Sequence, residues 1–348
     1  MIPLKINDKY MKKTIVFILG LAFSLNQGYS QDIHFSQFQA SPHLLNPANT
    51  GNYEGDYRVG LHYRNQWASF IKPFVTYAGF FDKKFKKELL GKDFWGAGIA
   101  LYSDKAGTAE FGTQVAQLAL GYHKRLGADK HLVSVGVQGS VVQKGINYDN
   151  LKFGNQYESV FYNSELENNE SYASNSIIYP QMQAGLNWQF KYSEKLNFNA
   201  GFSMFNLNSP KESFYTDSDN RLNTRFTINA GSDIKYDEKI TIRPAILLSG
   251  QTKATEFILG SDIGYKVKDV PMLKVEALFG IYYRSSDALI LIPGLQYNNY
   301  RFGISYDVNL SSLRAASKGH GAIEISIIYI FNLNPKLGIK RNLPCKRL

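Results

Sequence analysis

The sequence predicts an all-β protein, a transmembrane outer-membrane β-barrel of about fourteen antiparallel strands, and three observations carry that prediction. The first is a period of two. From Tyr300 to Val308 large apolar or aromatic side chains stand at 300, 302, 304, 306 and 308, with small or charged ones between. Successive strand side chains point to opposite faces, so the segment has one apolar and one polar face, and the same pattern recurs down the chain. The second is a sorting of connections, mostly short after even strands and long after some odd ones. The third is an export signal followed by no apolar run long enough for a membrane helix.

At the N-terminus, Met11, Lys12 and Lys13 precede an apolar run from Thr14 to Leu25, and Gly28-Tyr29-Ser30 offers small residues where a signal peptidase reads. Residues 1–30 are therefore expected to be a signal peptide cleaved before Gln31. The run of 12 residues is well short of the roughly 20 that span a bilayer as a helix. Residues 1–10 read as an upstream extension, with translation beginning at Met11. No cysteine stands near the cleavage site, which argues against a lipoprotein. Residues 31–56 do not read as a folded domain and are expected on the periplasmic side, as a plug, a brace or a docking segment.

The barrel is expected over 57–331. Its first segment, 57–66, sets Tyr57, Val59, Leu61 and Tyr63 against Arg58, Gly60, His62 and Arg64. Alternating segments follow at 74–83, 94–104, 112–123, 131–143, 178–191, 196–206, 224–236, 240–250 and 255–267. In 273–284, Leu273, Val275, Ala277, Phe279, Ile281 and Tyr283 oppose Lys274, Glu276, Gly280, Tyr282 and Arg284, with Leu278 the exception. Segments 288–297, 299–308 and 321–331 complete the set; 178–191 and 288–297 are the least regular. The total is even, as bacterial outer-membrane barrels require. Glycines at 96, 98, 121, 136, 139, 201, 231, 260, 264, 280 and 303 mark places where a curved sheet needs room.

The tight connections 125–130, 192–195, 237–239, 268–272 and Asn298 follow even strands, whereas the long ones, 144–177, 207–223 and 309–319, follow odd strands. Outer-membrane barrels have short periplasmic turns and longer outer loops; a soluble sandwich has no reason to sort its loops. The last strand ends Tyr329-Ile330-Phe331, an aromatic finish suited to the periplasmic girdle. Both chain ends then fall on the periplasmic side, the second as a tail over 332–348.

The mean hydropathy of −0.26 looks soluble, but alternation of lipid-facing and lumen-facing residues keeps a barrel's average low. The chain carries a net charge of +10; removing 30 residues with four basic and one acidic side chain leaves +7 on 318 residues. The basic residues are scattered, with small concentrations at 83–87 and 336–347, which suits acidic lipid headgroups or partner proteins rather than nucleic acid. Cys345 is the only cysteine, so no internal disulfide can form.

The chain contains, in order, Phe35-Ser36-Gln37-Phe38 with Asn46-Pro47-Ala48 and Gly51; Tyr63-Arg64-Asn65-Gln66-Trp67; Ser103-Asp104-Lys105-Ala106-Gly107; Tyr306-Asp307-Val308-Asn309-Leu310-Ser311; Glu324-Ile325-Ser326; and the closing Pro344-Cys345. In this order these motifs resemble those of the PorP/SprF outer-membrane proteins of the type IX secretion system of Bacteroidetes. The likeness covers essentially all of the mature chain. One departure is Leu348, where the family pattern leads one to expect an aromatic. The resemblance implies a non-enzymatic barrel of the Gram-negative outer membrane, needed for secretion or surface attachment of a cargo such as a large adhesin, and a link to gliding motility. It implies as partners the periplasmic ring, the outer-membrane translocon and a cargo's C-terminal domain. The alternatives are a porin or solute channel and an outer-membrane enzyme.

The candidate family-motif or partner-contact residues are Arg64, Asn65, Gln66, Trp67, Ser103, Asp104, Gly107, Tyr306, Asp307, Asn309 and Ser311. Each has a structural reading beside the functional one. Arg64 lies in the lumen-facing register and suits a lumen salt bridge, Trp67 an interfacial anchor, against a cargo or plug contact for both. Ser103 to Gly107 reads as a strand exit into a turn. Asp307, Asn309 and Ser311 have an oxygen-ligand spacing but lack the Gly and distal Glu of an EF-hand, so an Asx-type turn is expected there. The histidines 34, 43, 62, 123, 131 and 320 form no HExxH, and no Gly-x-Ser-x-Gly elbow is present. His62 and His123 share the inner register of their strands. No catalytic residue, metal or cofactor is assigned. The binding surface is expected on the outer loops, 144–177 above all, or on the periplasmic segments.

Overall fold

The structure is a computed structural model and describes residues 34–69, 71–86, 91–158, 161–163, 165–167, 174–215, 219–270 and 272–332. The expected signal peptide, Cys345 and all but Asn332 of the tail lie outside the described residues.

Fourteen antiparallel strands form one closed barrel. They are β1 (Tyr57–Gln66), β2 (Phe74–Lys86), β3 (Phe94–Ala106), β4 (Phe111–Leu126), β5 (His131–Gly145), β6 (Ser176–Lys191), β7 (Leu196–Phe205), β8 (Arg225–Lys235), β9 (Ile240–Gln251), β10 (Ala254–Val270), β11 (Leu273–Arg284), β12 (Ala288–Tyr297), β13 (Tyr300–Asn309) and β14 (His320–Phe331). Closure is made by β1, whose Tyr57 stands opposite Lys83 of β2 and Phe331 of β14. Every alternating segment read from the sequence is one of these strands. Several run longer than their alternation, β2 to Lys86 and β10 to Val270 among them, because backbone pairing continues where side chains turn polar. The two irregular segments each hold a proline. In β12 the ladder passes from Leu291 opposite Tyr306 to Gly294 opposite Gly303, skipping Pro293, which has no N–H to give.

The two faces separate as alternation requires. Outward-pointing Leu61, Tyr77, Leu118, Val137 and Ile304 are 53–67% exposed, apolar surface of the kind that only a lipid environment covers. Tyr300, Phe302, Ile304, Tyr306 and Val308 share that outward face. At the short-turn rim Tyr300, Tyr329, Phe331 and Tyr57 stack in succession at centroid spacings of 4.3, 5.1 and 5.0 Å, the girdle expected of the aromatic finish. The inward face holds buried His62, Arg64, His123, Arg284, Asp307 and Glu324. Long connections gather at the opposite rim, and the one after β5 carries a two-residue hairpin, Tyr157–Glu158 with Phe161–Tyr162.

The segment expected below the barrel lies inside it. Residues 34–51 fold as a short turn, a one-turn helix (Pro42–Leu45) and a second turn (Pro47–Asn49), and pack against the lumen face. Of plug, brace or docking segment, the geometry is that of a plug.

Candidate functional site

The plug runs from Ser36, near the long-loop end of the lumen, down to Gly51 near the short-turn end, and leaves through Tyr53 to Asp56 into β1. Three kinds of contact hold it.

The upper contact is ionic. Glu324 of β14 accepts the backbone N–H of Ser36 at 2.6 Å and of Gln37 at 2.9 Å, while its carboxylate also pairs with Arg64 of β1 and with His62 at 3.1 Å. Ser36 Oγ donates to Asp307 Oδ2 at 2.6 Å and accepts from Arg64 at 2.8 Å and Arg284 at 2.6 Å. Arg284 closes the cluster onto Asp307, Asp287 and Glu256, each within 3.1 Å. Gln37 Oε1 accepts from Ser326 Oγ at 2.8 Å, in space that Gly303 leaves free. Charges this deep persist only when paired and hydrogen-bonded, so the plug backbone completes the pairing of the wall.

The middle contact is apolar. Phe38 meets Tyr282 edge-on at 5.8 Å and packs with Leu247, Ile258 and Ile290. Leu278, the break in the alternation of β11, points inward and faces Phe38 across a small cavity. Phe35 stacks on His62 at 3.8 Å. Ser41 Oγ bonds His62 Nδ1 at 2.9 Å, so Ser41, His62 and Glu324 follow a hydroxyl, imidazole, carboxylate order. A hydrolase needs that hydroxyl open to an acyl carbon. Here Ser41 is 2% exposed, Phe35 covers the imidazole, and Glu324 is saturated by Arg64 and two amides. The triad-like order is a lock.

The lower contact is one of shape. Gly96, Gly121, Gly136 and Gly185 stand side by side across β3, β4, β5 and β6, and the turn from Asn46 to Gly51 lies on this row. A Cβ at Gly136 would strike the backbone of Pro47 and Ala48, at Gly121 or Gly96 the carbonyl of Thr50, and at Gly185 the Asn46 side chain. These glycines serve close backbone approach; the sequence assigned three of them to curvature only. Asn46 caps the turn by accepting from Ala48 N at 2.9 Å and donates to the Leu186 and Phe202 carbonyls of the wall at 2.8 and 3.3 Å. His123 Nε2 holds the Thr50 carbonyl at 2.7 Å, with Ser134 on its other nitrogen at 2.8 Å. Gly51, at φ +78°, gives its N–H to Asp82 at 2.7 Å, and Arg58 grips Asp82 with two bonds and Asn49 O with a third. Burial pushes the His43 imidazole of the plug down to about 4, so it is neutral at pH 7.

The structure brings Arg64 and Asp307 of the predicted residues into the upper cluster. Asn65 points outward to Tyr63 OH at 3.2 Å, and Gln66 ends β1 between Phe74 and Ala322. Trp67 takes a left-handed turn at φ 61° and packs on Phe74 at 4.9 Å. Asp104 accepts from Thr76 at 2.6 Å beside Ser103, and Gly107 turns the chain at φ 64°. Tyr306 faces outward and bonds His320 at 2.6 Å. Asn309 Oδ1 accepts from Ser311 N at 2.9 Å, the expected Asx turn. Sequence reasoning missed Arg58, Asp82 and Arg284 as site residues. Their signal was a charged side chain on the inner register of a strand, present at each.

A family model described as type IX secretion system membrane protein PorP/SprF matches residues 27–329. No curated protein matches the sequence. Among solved structures, the toluene transporter TodX of Pseudomonas putida is similar at a TM-score of 0.50 and 10% identity, over 87% of this chain and 95% of that one. A TodX deltaS2S3 mutant, titled a monoaromatic hydrocarbon channel, is similar at 0.51 and 10%, over 88% and 96%. The toluene transporter TbuX of Ralstonia pickettii gives 0.48 and 10%, over 87% and 95%. At such identity the TodX likeness shows the barrel fold alone.

Proposed function

The chain belongs to the PorP/SprF family and is an outer-membrane β-barrel of the type IX secretion system, and from that premise we propose a non-enzymatic, plugged barrel needed for secretion or surface attachment of a partner cargo such as a large adhesin. The observation that carries this reading is the filled lumen. Motifs that mark the family resemblance, Phe35 to Phe38, Asn46 to Ala48, Gly51, Arg64, Asp307 and Glu324, meet in the contacts that seat the plug. A diffusion channel needs a clear path, whereas a holder for a protein needs a stiff wall and free outer loops. Cleavage before Gln31 would make the plug the chain's own N-terminal end, three residues upstream of His34.

In this reading the long outer loops contact the cargo's C-terminal domain, and the short-turn rim faces the periplasmic ring and translocon. Loops vary freely on a fixed scaffold, which is what partner choice demands. Deleting residues 154–174, within the loop after β5, should leave heat-modifiable barrel migration intact and reduce cargo display several-fold. Unchanged display would move the contact to the periplasmic segments. The competing channel reading, a porin or solute pore, requires ion conductance after reconstitution; a purified chain that conducts strongly and retains no translocon or cargo protein overturns the proposal.

A further inference from the structure

Turn chemistry leaves part of the short-turn rim unexplained. The β6–β7 and β8–β9 turns share one sequence pattern, Lys191-Tyr192-Ser193-Glu194-Lys195-Leu196 and Lys235-Tyr236-Asp237-Glu238-Lys239-Ile240. Ser193 Oγ accepts from Lys195 N at 3.2 Å, and Asp237 Oδ1 accepts from Lys239 N at 2.7 Å and Ile240 N at 2.6 Å. The third position therefore closes each turn. Nothing in that geometry calls for a lysine on either side of it.

The lysines meet across strands. Lys191 N donates to Lys130 O at 2.7 Å, Lys235 N to Lys195 O at 2.8 Å and Lys266 N to Lys239 O at 2.9 Å. Each bond lies one step beyond a ladder pair, His131 with Phe190, Leu196 with Ile234 and Ile240 with Tyr265. Three lysine pairs thus stand directly opposed at the ends of β5 and β6, β7 and β8, and β9 and β10. Like charges in that position destabilise a sheet. Glu194 takes Lys191 at 2.6 Å and Asp269 takes Lys266 at 3.1 Å. Lys130, Lys195, Lys235 and Lys239 are exposed and form no ion pair among the described residues. Over 124–131, 191–196, 235–240 and 266–274 ten basic residues meet five acidic ones, a surplus that only an anionic partner offsets.

We infer that the short-turn mouth beside β5 to β10 binds an extended acidic segment of a partner protein. The face of the sheet selects protein over lipid. Lys191 keeps step with buried Asn187, Lys235 with buried Asn229 and Lys266 with buried Asp262, so the three pairs share the inner register. On the outward register of the same turns stand exposed Tyr236 and Tyr192, the latter edge-on to Phe190 of the girdle at 6.1 Å. Headgroups outside the girdle meet those tyrosines. Spacing selects a chain over a small anion: strands about 4.8 Å apart set successive lysine pairs about 10 Å apart, or about three residues of extended chain. The inference rests on the reading that this rim faces the periplasm and on no part of the cargo assignment, so the two fail separately.

Fluorescence anisotropy on the full-length protein in neutral detergent tests it, with a labelled Glu-Gly-Ser-Glu-Gly-Ser-Glu peptide as probe and its all-Gln counterpart as control. The parent should bind the acidic peptide alone, and more weakly as salt rises. Lys195→Gln/Lys235→Gln should weaken binding about tenfold, the scale of two exposed charge pairs, and Lys105→Gln/Lys253→Gln at the opposite rim should leave it unchanged. The first variant should keep heat-modifiable migration and be no less heat-stable than the parent, since it relieves an opposed pair. No binding by the parent, equal binding of the Gln peptide, or equal affinity in the two double variants overturns the proposal. Displacement of the peptide by inorganic phosphate at equal concentration, or by phosphatidylglycerol where phosphatidylcholine has no effect, assigns the lysines to a small anion or to lipid and overturns it as well.

Discussion

The two ends of the plug are held by different physics. At the upper end, Ser36 and Gln37 complete a buried set of charges drawn from β1, β11, β13 and β14. At the lower end, the Asn46 to Gly51 turn rests on four adjacent glycines of β3 to β6. The upper contact tolerates small shifts in distance but not the loss of a charge. The lower contact has one ion pair, Arg58 with Asp82, but is set by fit and cannot accept a methyl group. A segment tied at one end by pairing and at the other by fit has one position along the lumen, since sliding breaks both at once.

The largest effect should come from the charged end. Glu324→Ala leaves Arg64 with only the longer pair to Asp307 at 3.5 Å and two plug amides without an acceptor, a class of change that costs about 3–5 kcal/mol. A nitroxide on Ala40→Cys in a Cys345→Ser chain should pass from immobile to mobile; an unchanged spectrum would show that the clamp does not hold the plug. The glycine row gives a smaller and sharper test. Gly136→Ala should cost about 1–3 kcal/mol by overpacking and loosen the same label. Gly139→Ala, three residues along β5, should do nothing, because nothing lies within 4 Å of a Cβ there. Equal effects from the two would remove the distinction between seat and wall.

The smallest effect is that of pH. Buried His43 titrates near 4, below its ordinary 6.5, so the seated plug disfavours its protonation. The stability it contributes is present above about 6.5 and is lost as pH falls toward 4. Mobility of the Ala40 label should rise across that window, and His43→Gln should flatten the His43 part of the rise. An identical profile in the variant would assign the acid response to other groups.

The wall was legible because each strand writes its own two faces. Tyr300, Phe302 and Ile304 face lipid whatever their partners are, and the turn at Asn309 to Ser311 is closed by its own side chain. The candidate site was legible only in part. Arg64 could be placed inward by register, but its ligands are Glu324, 260 positions away, and Ser36, 28 positions away. Alternation puts Gly136 on the inner face of β5 and Gly139 on the outer, but that Gly136 seats the backbone of Pro47 and Ala48 shows only once the plug is in place.

By itself the sequence determined the strands, their order, the outward face and the sorting of loops, because alternation and turn chemistry act between near neighbours. The tertiary structure alone decided that residues 34–51 enter the lumen, which glycines form their seat, and that Asp82, Arg284 and Glu324 hold them there. Those contacts join groups that meet only after the barrel closes: an aperiodic segment carries no record of the surface that will hold it, and a buried charge shows its partner only when the wall brings the two together.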